Sequence, residues 1–159
     1  MTTVDLLQRL VELEERVAAL EGGREVATSP EAGDGGAVGY RGRVTLAEGQ
    51  VEWRIDLAQE SVLALEDRPR VEVLAALAHP ARVDIVRSLL DRGGQPAAAL
   101  QEAARLGSTG QLYHHLKALT SAGVVEQDKR GSYRLRAGAV VPVLVLLTAA
   151  SDVAGQLRS

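Results

Sequence analysis

The stretch GSTGQLYHHLKAL, residues 107–119, gathers many of the side chains in this sequence that are able to do chemistry. Two adjacent histidines, His114 and His115, stand beside a tyrosine, a glutamine and a lysine, and His79 is the one remaining histidine among 159 residues. Imidazoles serve as metal ligands, as proton carriers and as hydrogen-bond partners. On a helix, neighbours point about 100° apart, so His114 and His115 cannot share one metal, which would need i,i+4 spacing. The chain has no cysteine, which excludes thiolate metal sites, disulfides and a cysteine nucleophile. No serine sits in a nucleophile elbow, and no carboxylate pair accompanies a Gly-rich strand-turn-helix, so neither catalysis nor a cofactor is expected. The chemistry left to Gln111, Tyr113, His114 and Lys117 is hydrogen bonding, of the kind that reaches base edges or phosphates.

Such side chains must be held outward on a helix whose other face is anchored. Over Ser108–Ala122 the apolar residues Leu112, Leu116 and Leu119 form the inward stripe with His115 beside them, while Thr109, Gln111, Tyr113, His114 and Lys117 face outward. None of the outward residues is acidic. Ser108 and Gln111 fit the S-x-x-Q capping box and Gly123 closes the helix. Upstream, RPRVEVLAALAHPARVDIVRSLLDRGG reads as two helical runs parted by His79-Pro80. Pro80 opens the second run and Gly93-Gly94 stops it. His79 is expected to pack or cap rather than to bind a ligand. PAAALQEAARLG is a third, Ala-rich helix ending at Gly107. Downstream, VVEQDKRGSYRLR predicts a strand, a tight turn at Lys129-Arg130-Gly131 and a return strand carrying Arg134 and Arg136.

The first third of the chain has a different character. Leu6, Leu10, Leu13, Val17 and Leu20 recur at 4-3-4-3 spacing, with Arg9 and Arg16 at g and Glu14 and Glu21 at e, the pattern of a parallel coiled-coil dimer over residues 1–21. Residues 22–38, rich in glycine and without periodicity, read as a flexible linker. Residues 39–58 read as a β-hairpin with Tyr40, Gly42, Val44, Leu46, Val51, Trp53, Ile55 and Leu57 on one face. A two-residue Glu48-Gly49 turn would pair Leu46 with Val51, Val44 with Trp53 and Gly42 with Ile55. Arg41 then opposes Asp56, and Arg43 opposes Arg54, with both arginines leaning toward Glu52 or Asp56. Trp53 is expected in the core.

Composition bounds the rest. Apolar residues make up 46% of the chain and aromatics 3%, with no Phe, so Leu, Val and Ala must fill the core. The longest apolar run, Ala139–Ala150, spans roughly 18 Å as a helix, too short for a bilayer, and no signal peptide is read at the N-terminus. A soluble, cytoplasmic protein is expected. The net charge of −3 is unevenly spread: residues 1–66 carry 6 basic and 13 acidic side chains, residues 67–137 carry 11 and 7. A basic segment inside an acidic chain points toward a polyanionic partner.

LAALAHPARVDIVRSLL followed by STGQLYHHLKALTSAGVVEQDKRGSYRL resembles the ArsR-type winged helix-turn-helix transcriptional regulators. Leu77, Pro80, Arg82, Ile85 and Leu89 match the first motif of that family. Ser108, His114, His115, Leu116 and Leu119 match its recognition helix, and Gly123, Val124, Val125 and Gly131 its wing. The resemblance covers about Val71–Leu135. It implies a dimeric domain that reads a palindromic operator in double-stranded DNA, usually a repressor released by a signal, for which an unknown small-molecule effector is the expectation. The chain departs from the metal-sensing members: the last helix, about Pro142–Leu157, offers Asp152 and no His, so no metal is expected.

The fold expected is therefore mainly α with small β: a coiled-coil helix, a β-hairpin, a winged helix-turn-helix over residues 59–137, and a C-terminal dimerisation helix over residues 138–159. Ser108, Thr109, Gln111, Tyr113, His114, Lys117, Lys129, Arg130 and Arg134 are the expected DNA contacts. Val143, Leu144 and Leu147 join the N-terminal heptad residues as dimerisation residues, because the last helix is hydrophobic almost all round. The rival reading is an architectural protein that coats or bridges duplexes with little sequence preference.

Overall fold

The computed structural model describes residues 35–46, 49–128 and 131–157. The heptad stripe from Leu6 to Leu20 lies outside the described residues, as do residues 22–34 of the Gly-rich stretch. Among the described residues, no helix is long and apolar enough to cross a membrane.

Two antiparallel strands come first, β1 (Ala37–Leu46) and β2 (Gly49–Ala58). Ala37 and Val38, expected in the linker, already belong to the ladder. The pairing also corrects the expected register. Leu46 lies opposite Gly49, Val44 opposite Val51, Gly42 opposite Trp53 and Tyr40 opposite Ile55. Gly49 has φ +139°, a conformation glycine adopts without strain, so it begins the second strand instead of standing in the turn. The slip is by two residues, which keeps every side chain on its own face. What changes is the charged face. Arg43 faces Glu52 and pairs with it at 3.1 Å, while Arg54 reaches Asp56 at 2.6 Å along its own strand. Arg41 lies opposite Arg54. Trp53 is half-buried rather than fully in the core, and its indole N–H is shielded from solvent.

A short helix that the sequence did not announce, α1 (Gln59–Ala64), leads into α2 (Asp67–Leu77). Helix α3 (Pro80–Arg92) starts as expected: Pro80 holds the first position, where its missing N–H is no loss, and the His79 side chain caps. Gly93, at φ +74°, ends it. Helix α4 (Ala97–Ala103) stops four residues short of Gly107. Arg105 takes the left-handed conformation at φ +52°, and Leu106 N–H reaches back to Gln101 C=O while Arg105 N–H reaches Glu102 C=O. This is a Schellman ending with arginine where glycine is usual. The Gln101 amide donates to the Leu106 carbonyl at 3.2 Å and holds that turn closed.

Helix α5 (Thr109–Ser121) follows, then the short strands β3 (Val125–Gln127) and β4 (Tyr133–Leu135) and a 3-10 turn at Ala137–Ala139. Helix α6 (Val140–Val153) begins two residues before Pro142 and ends four before Leu157, with Gly155 in the left-handed region closing it. Gln95 bridges to Tyr133, giving the small sheet a third edge.

The core is built where these elements meet. Ile85, Val86 and Leu89 of α3, Leu100 of α4 and Leu112, Leu116 and Leu119 of α5 are almost wholly buried, with Val124, Val125 and Tyr133 below them. Val143 joins this cluster at 2% exposure, so it serves its own chain's core and is closed to a partner, a correction to the dimerisation set. Leu144 and Leu147 are only half-buried. The other side of α6 supports the hairpin: Val141 is buried directly beneath Gly42.

Candidate nucleic-acid interface

Helix α5 owes its two faces to spacing and its start to one hydroxyl. Ser108 Oγ accepts from the Gln111 backbone N–H at 3.3 Å, satisfying one of the donors a helix N-terminus leaves open. At the other end Gly123, at φ +71°, lets Val124 N–H reach Leu119 C=O. Leu112, His115, Leu116 and Leu119 are buried; Ser108, Thr109, Gln111, Tyr113, His114 and Lys117 are exposed. Tyr113 is 51% exposed, unusual for so large a ring. The Thr109 hydroxyl donates to the Gln101 side-chain carbonyl at 3.4 Å, tying the first turn of α5 to α4. The five residues expected to face outward, Thr109, Gln111, Tyr113, His114 and Lys117, are thus all exposed, without a carboxylate among them.

The wing stands beside that face. A groove of about 510 Å³ runs between α5 and the small sheet, lined by Tyr113, Lys117, Thr120, Gln127, Tyr133 and Arg136. Burial, and secondly Tyr113, push the Tyr133 phenol above its usual value, so it stays protonated at neutral pH. Lys129 and Arg130 lie outside the described residues. Between the described ends of the two strands, the Asp128 carboxylate accepts from Ser132 N–H at 2.9 Å and its carbonyl from Gly131 N–H at 3.1 Å.

Arg134 is exposed at the wing's return strand, but its guanidinium is engaged: Nε donates to Glu126 Oε1 at 2.9 Å. Arg136 approaches the other oxygen of the same carboxylate at 3.8 Å. Glu126 was not among the expected site residues. It lies directly opposite Arg134 in the ladder, a pairing that the turn position would have given had the register been counted back from it. Gln95 was also missed. Buried at the α3–α4 junction, its amide donates to the Ser88 carbonyl at 2.9 Å while its backbone exchanges two bonds with Tyr133.

His115 packs inward as expected, its ring 4.4 Å from that of His79. His79 acts as a cap, its Nδ1 accepting from Ala81 N–H at 3.2 Å. Among the described residues, no group of three or more His, Asp or Glu side chains is arranged to hold a metal ion.

Three helices around one core, the last with a polar outward face, closed by a two-stranded wing: this is a winged helix-turn-helix domain. Residues 77–128 match a family model described as a helix-turn-helix domain, the same part of the chain that carries the ArsR-type resemblance. Among solved structures, the homodimeric winged helix-turn-helix DNA-binding domain (fragment 1–100) of a possible ArsR-family transcriptional regulator from Mycobacterium bovis is similar. The likeness covers 56% of this chain and 89% of that one, with 26% identity and a TM-score of 0.46. No curated protein matches the chain significantly.

Proposed function

We propose that this chain is a sequence-specific DNA-binding transcriptional regulator of ArsR type, dimeric and acting as a repressor in the cytoplasm. Helix α5 enters the major groove and the wing rests on the phosphates. The observation that carries this reading is the outward face of α5, where Gln111, Tyr113, His114 and Lys117 are exposed together beside the wing groove. Gln111 and His114 have the donors and acceptors to discriminate base edges, while Lys117, Lys129 and Arg130 supply sequence-independent attraction. Self-association falls to the heptad residues Leu6, Leu10, Leu13, Val17 and Leu20 and to the half-buried Leu144 and Leu147 of α6.

Mapping the genomic DNA that the protein occupies in its own cells tests the reading. A few sharp peaks sharing a two-fold symmetric motif support a specific regulator. Broad occupancy with weak preference would replace it with an architectural protein that coats or bridges duplexes. In vitro, replacing Lys129 and Arg130 with alanine weakens binding to all sequences and flattens its salt dependence, whereas replacing Gln111 or His114 reduces discrimination between sites.

A further inference from the structure

His79 and His115 meet at the seam between the start of α3 and the middle of α5, and the exposed His114 stands beside them with its ring 5.6 Å from that of His115. We propose that His115 is a positioning residue for α5, that it holds the helix against His79 only while the seam is uncharged, and that acid releases it and weakens DNA binding. The DNA part of this inference rests on the proposed function; the joint itself does not.

The geometry requires neutral rings. His79 Nδ1 accepts from Ala81 N–H at 3.2 Å, so that nitrogen carries no proton, and a neutral His79 is the Nε2–H tautomer. Its ring lies 4.4 Å from His115, tilted by 44°. His115 is 9% exposed, and its Nδ1 is buried without a hydrogen-bond partner. A proton on His115 would therefore create a buried cation with one N–H unsatisfied, against a ring that must itself stay neutral to cap α3. Arg82, one turn into α3, adds a permanent positive charge whose Nε is likewise buried without a partner. Burial is the first cause that holds the His115 imidazole below its ordinary value; positive charge on His79, on Arg82 or on His114 acts in the same direction.

No carboxylate is among the charges acting on His115. The charges of α2 pair with one another, Arg68 with Glu72 and Arg70 with Asp67. Helix α4 carries Glu102, which is exposed, and β3 carries Glu126, which holds Arg134 and Arg136. The sign follows. A histidine with a depressed folded value is neutral in both states above about pH 6.5, so it exacts nothing there; as pH falls below that value the unfolded or undocked state takes the proton first, and docking is lost. One coupled proton changes the equilibrium by at most tenfold per pH unit.

The test begins without DNA. The ring signals of the three histidines are followed by NMR on the unsubstituted chain from pH 8 to pH 4.5, together with the backbone amides. His115 is expected to titrate below the ordinary histidine value, with the Ala81 amide and the amides of α5 shifting in step. Titration of His115 at or above that value, or without those amides moving, overturns the joint. DNA affinity is then measured at fixed ionic strength with a duplex selected from a random-sequence pool. His114→Gln is the background, and the duplex is selected with that same variant, so that the imidazoles left are those of His79 and His115. Affinity is expected to fall below about pH 6.5 and to stay level in His114→Gln/His115→Leu. A level or rising profile in His114→Gln overturns the link to DNA. Selection of no duplex at all would overturn the DNA-binding reading while the NMR result still decides the joint.

Discussion

Replacing Gly42 with alanine tests how the N-terminal hairpin is fastened to the helix-turn-helix. A Cβ built on Gly42 stands 2.5 Å from Val141 Cγ1 and 3.4 and 3.5 Å from Cγ2 and Cβ. Carbon atoms rest at about 3.5–4.0 Å, so strand and helix must separate by roughly 1 Å or Val141 must turn aside. Val141 is nearly fully buried, as are Val140 and Val143 on the same helix, so little room exists for it to turn. Overpacking of this kind costs about 1–3 kcal/mol. Alanine's intrinsic advantage over glycine in a strand, about 0.5–1 kcal/mol, acts in the other direction, so a net loss can come only from the clash. The assay is denaturant unfolding followed through Trp53, the sole tryptophan, which lies directly opposite Gly42, in parallel with far-UV circular dichroism. Val141→Ala removes two buried methyl groups, about 1.5 kcal/mol at roughly 0.8 each, more if a cavity remains. In the double variant the new methyl enters the vacated space, so its loss should fall short of the sum of the two single losses by about 1 kcal/mol or more. Strict additivity, or a Gly42→Ala chain as stable as its parent, would refute the docking of β1 on α6.

Ser108→Ala removes the cap of α5 and should lower stability by about 1 kcal/mol, read as a shift in the thermal midpoint with a matching loss of DNA affinity. Glu126→Gln removes the carboxylate beside Arg136 and should tighten binding to all duplexes, steepening the plot of log affinity against log salt by up to about 0.9 for a phosphate gained; an unchanged slope would mean that Arg136 reaches no phosphate. Gln95→Ala strips the buried amide from Ser88 and should cost about 1–3 kcal/mol, measurable by urea unfolding. Leu116→Ala, at a site 1% exposed, should cost about 2–5 kcal/mol; a smaller loss would mean that α5 is not seated on the core as described.

The face of α5 was legible because helical spacing alone decides it. Leu112, Leu116 and Leu119 can share a side only if Gln111, Tyr113, His114 and Lys117 share the other. The caps were legible for the same reason: Ser108, Pro80, Gly93 and Gly123 act on backbone groups within a few residues of themselves. What local patterning could not supply was the hairpin register, since both alignments put the same residues on the same face and change only which partners meet across the strands, Arg43 with Glu52 or with Arg54 among them. The early end of α4 was hidden too, because Arg105 accepts a backbone conformation that sequence rules reserve for glycine. Val143 was misread since an all-apolar helix shows that it will be covered but not by what. Tertiary pairs such as His79 with His115, or Gln95 with Tyr133, join residues 36 and 38 positions apart and carry no periodic signature.

The Gln95–Tyr133 bridge makes the angle between wing and helix a fixed quantity. Its two backbone bonds, 2.9 and 2.8 Å long, fasten the return strand to the α3–α4 junction, and Val125 of β3 is buried in the same core cluster as Leu119 of α5. Helix and wing therefore act as the jaws of a set calliper. On the proposed DNA-binding reading, a duplex whose local curvature or groove width does not fit that opening has to supply the strain itself, so stiff and flexible sequences with identical contacted bases would be distinguished by the energy of bending them.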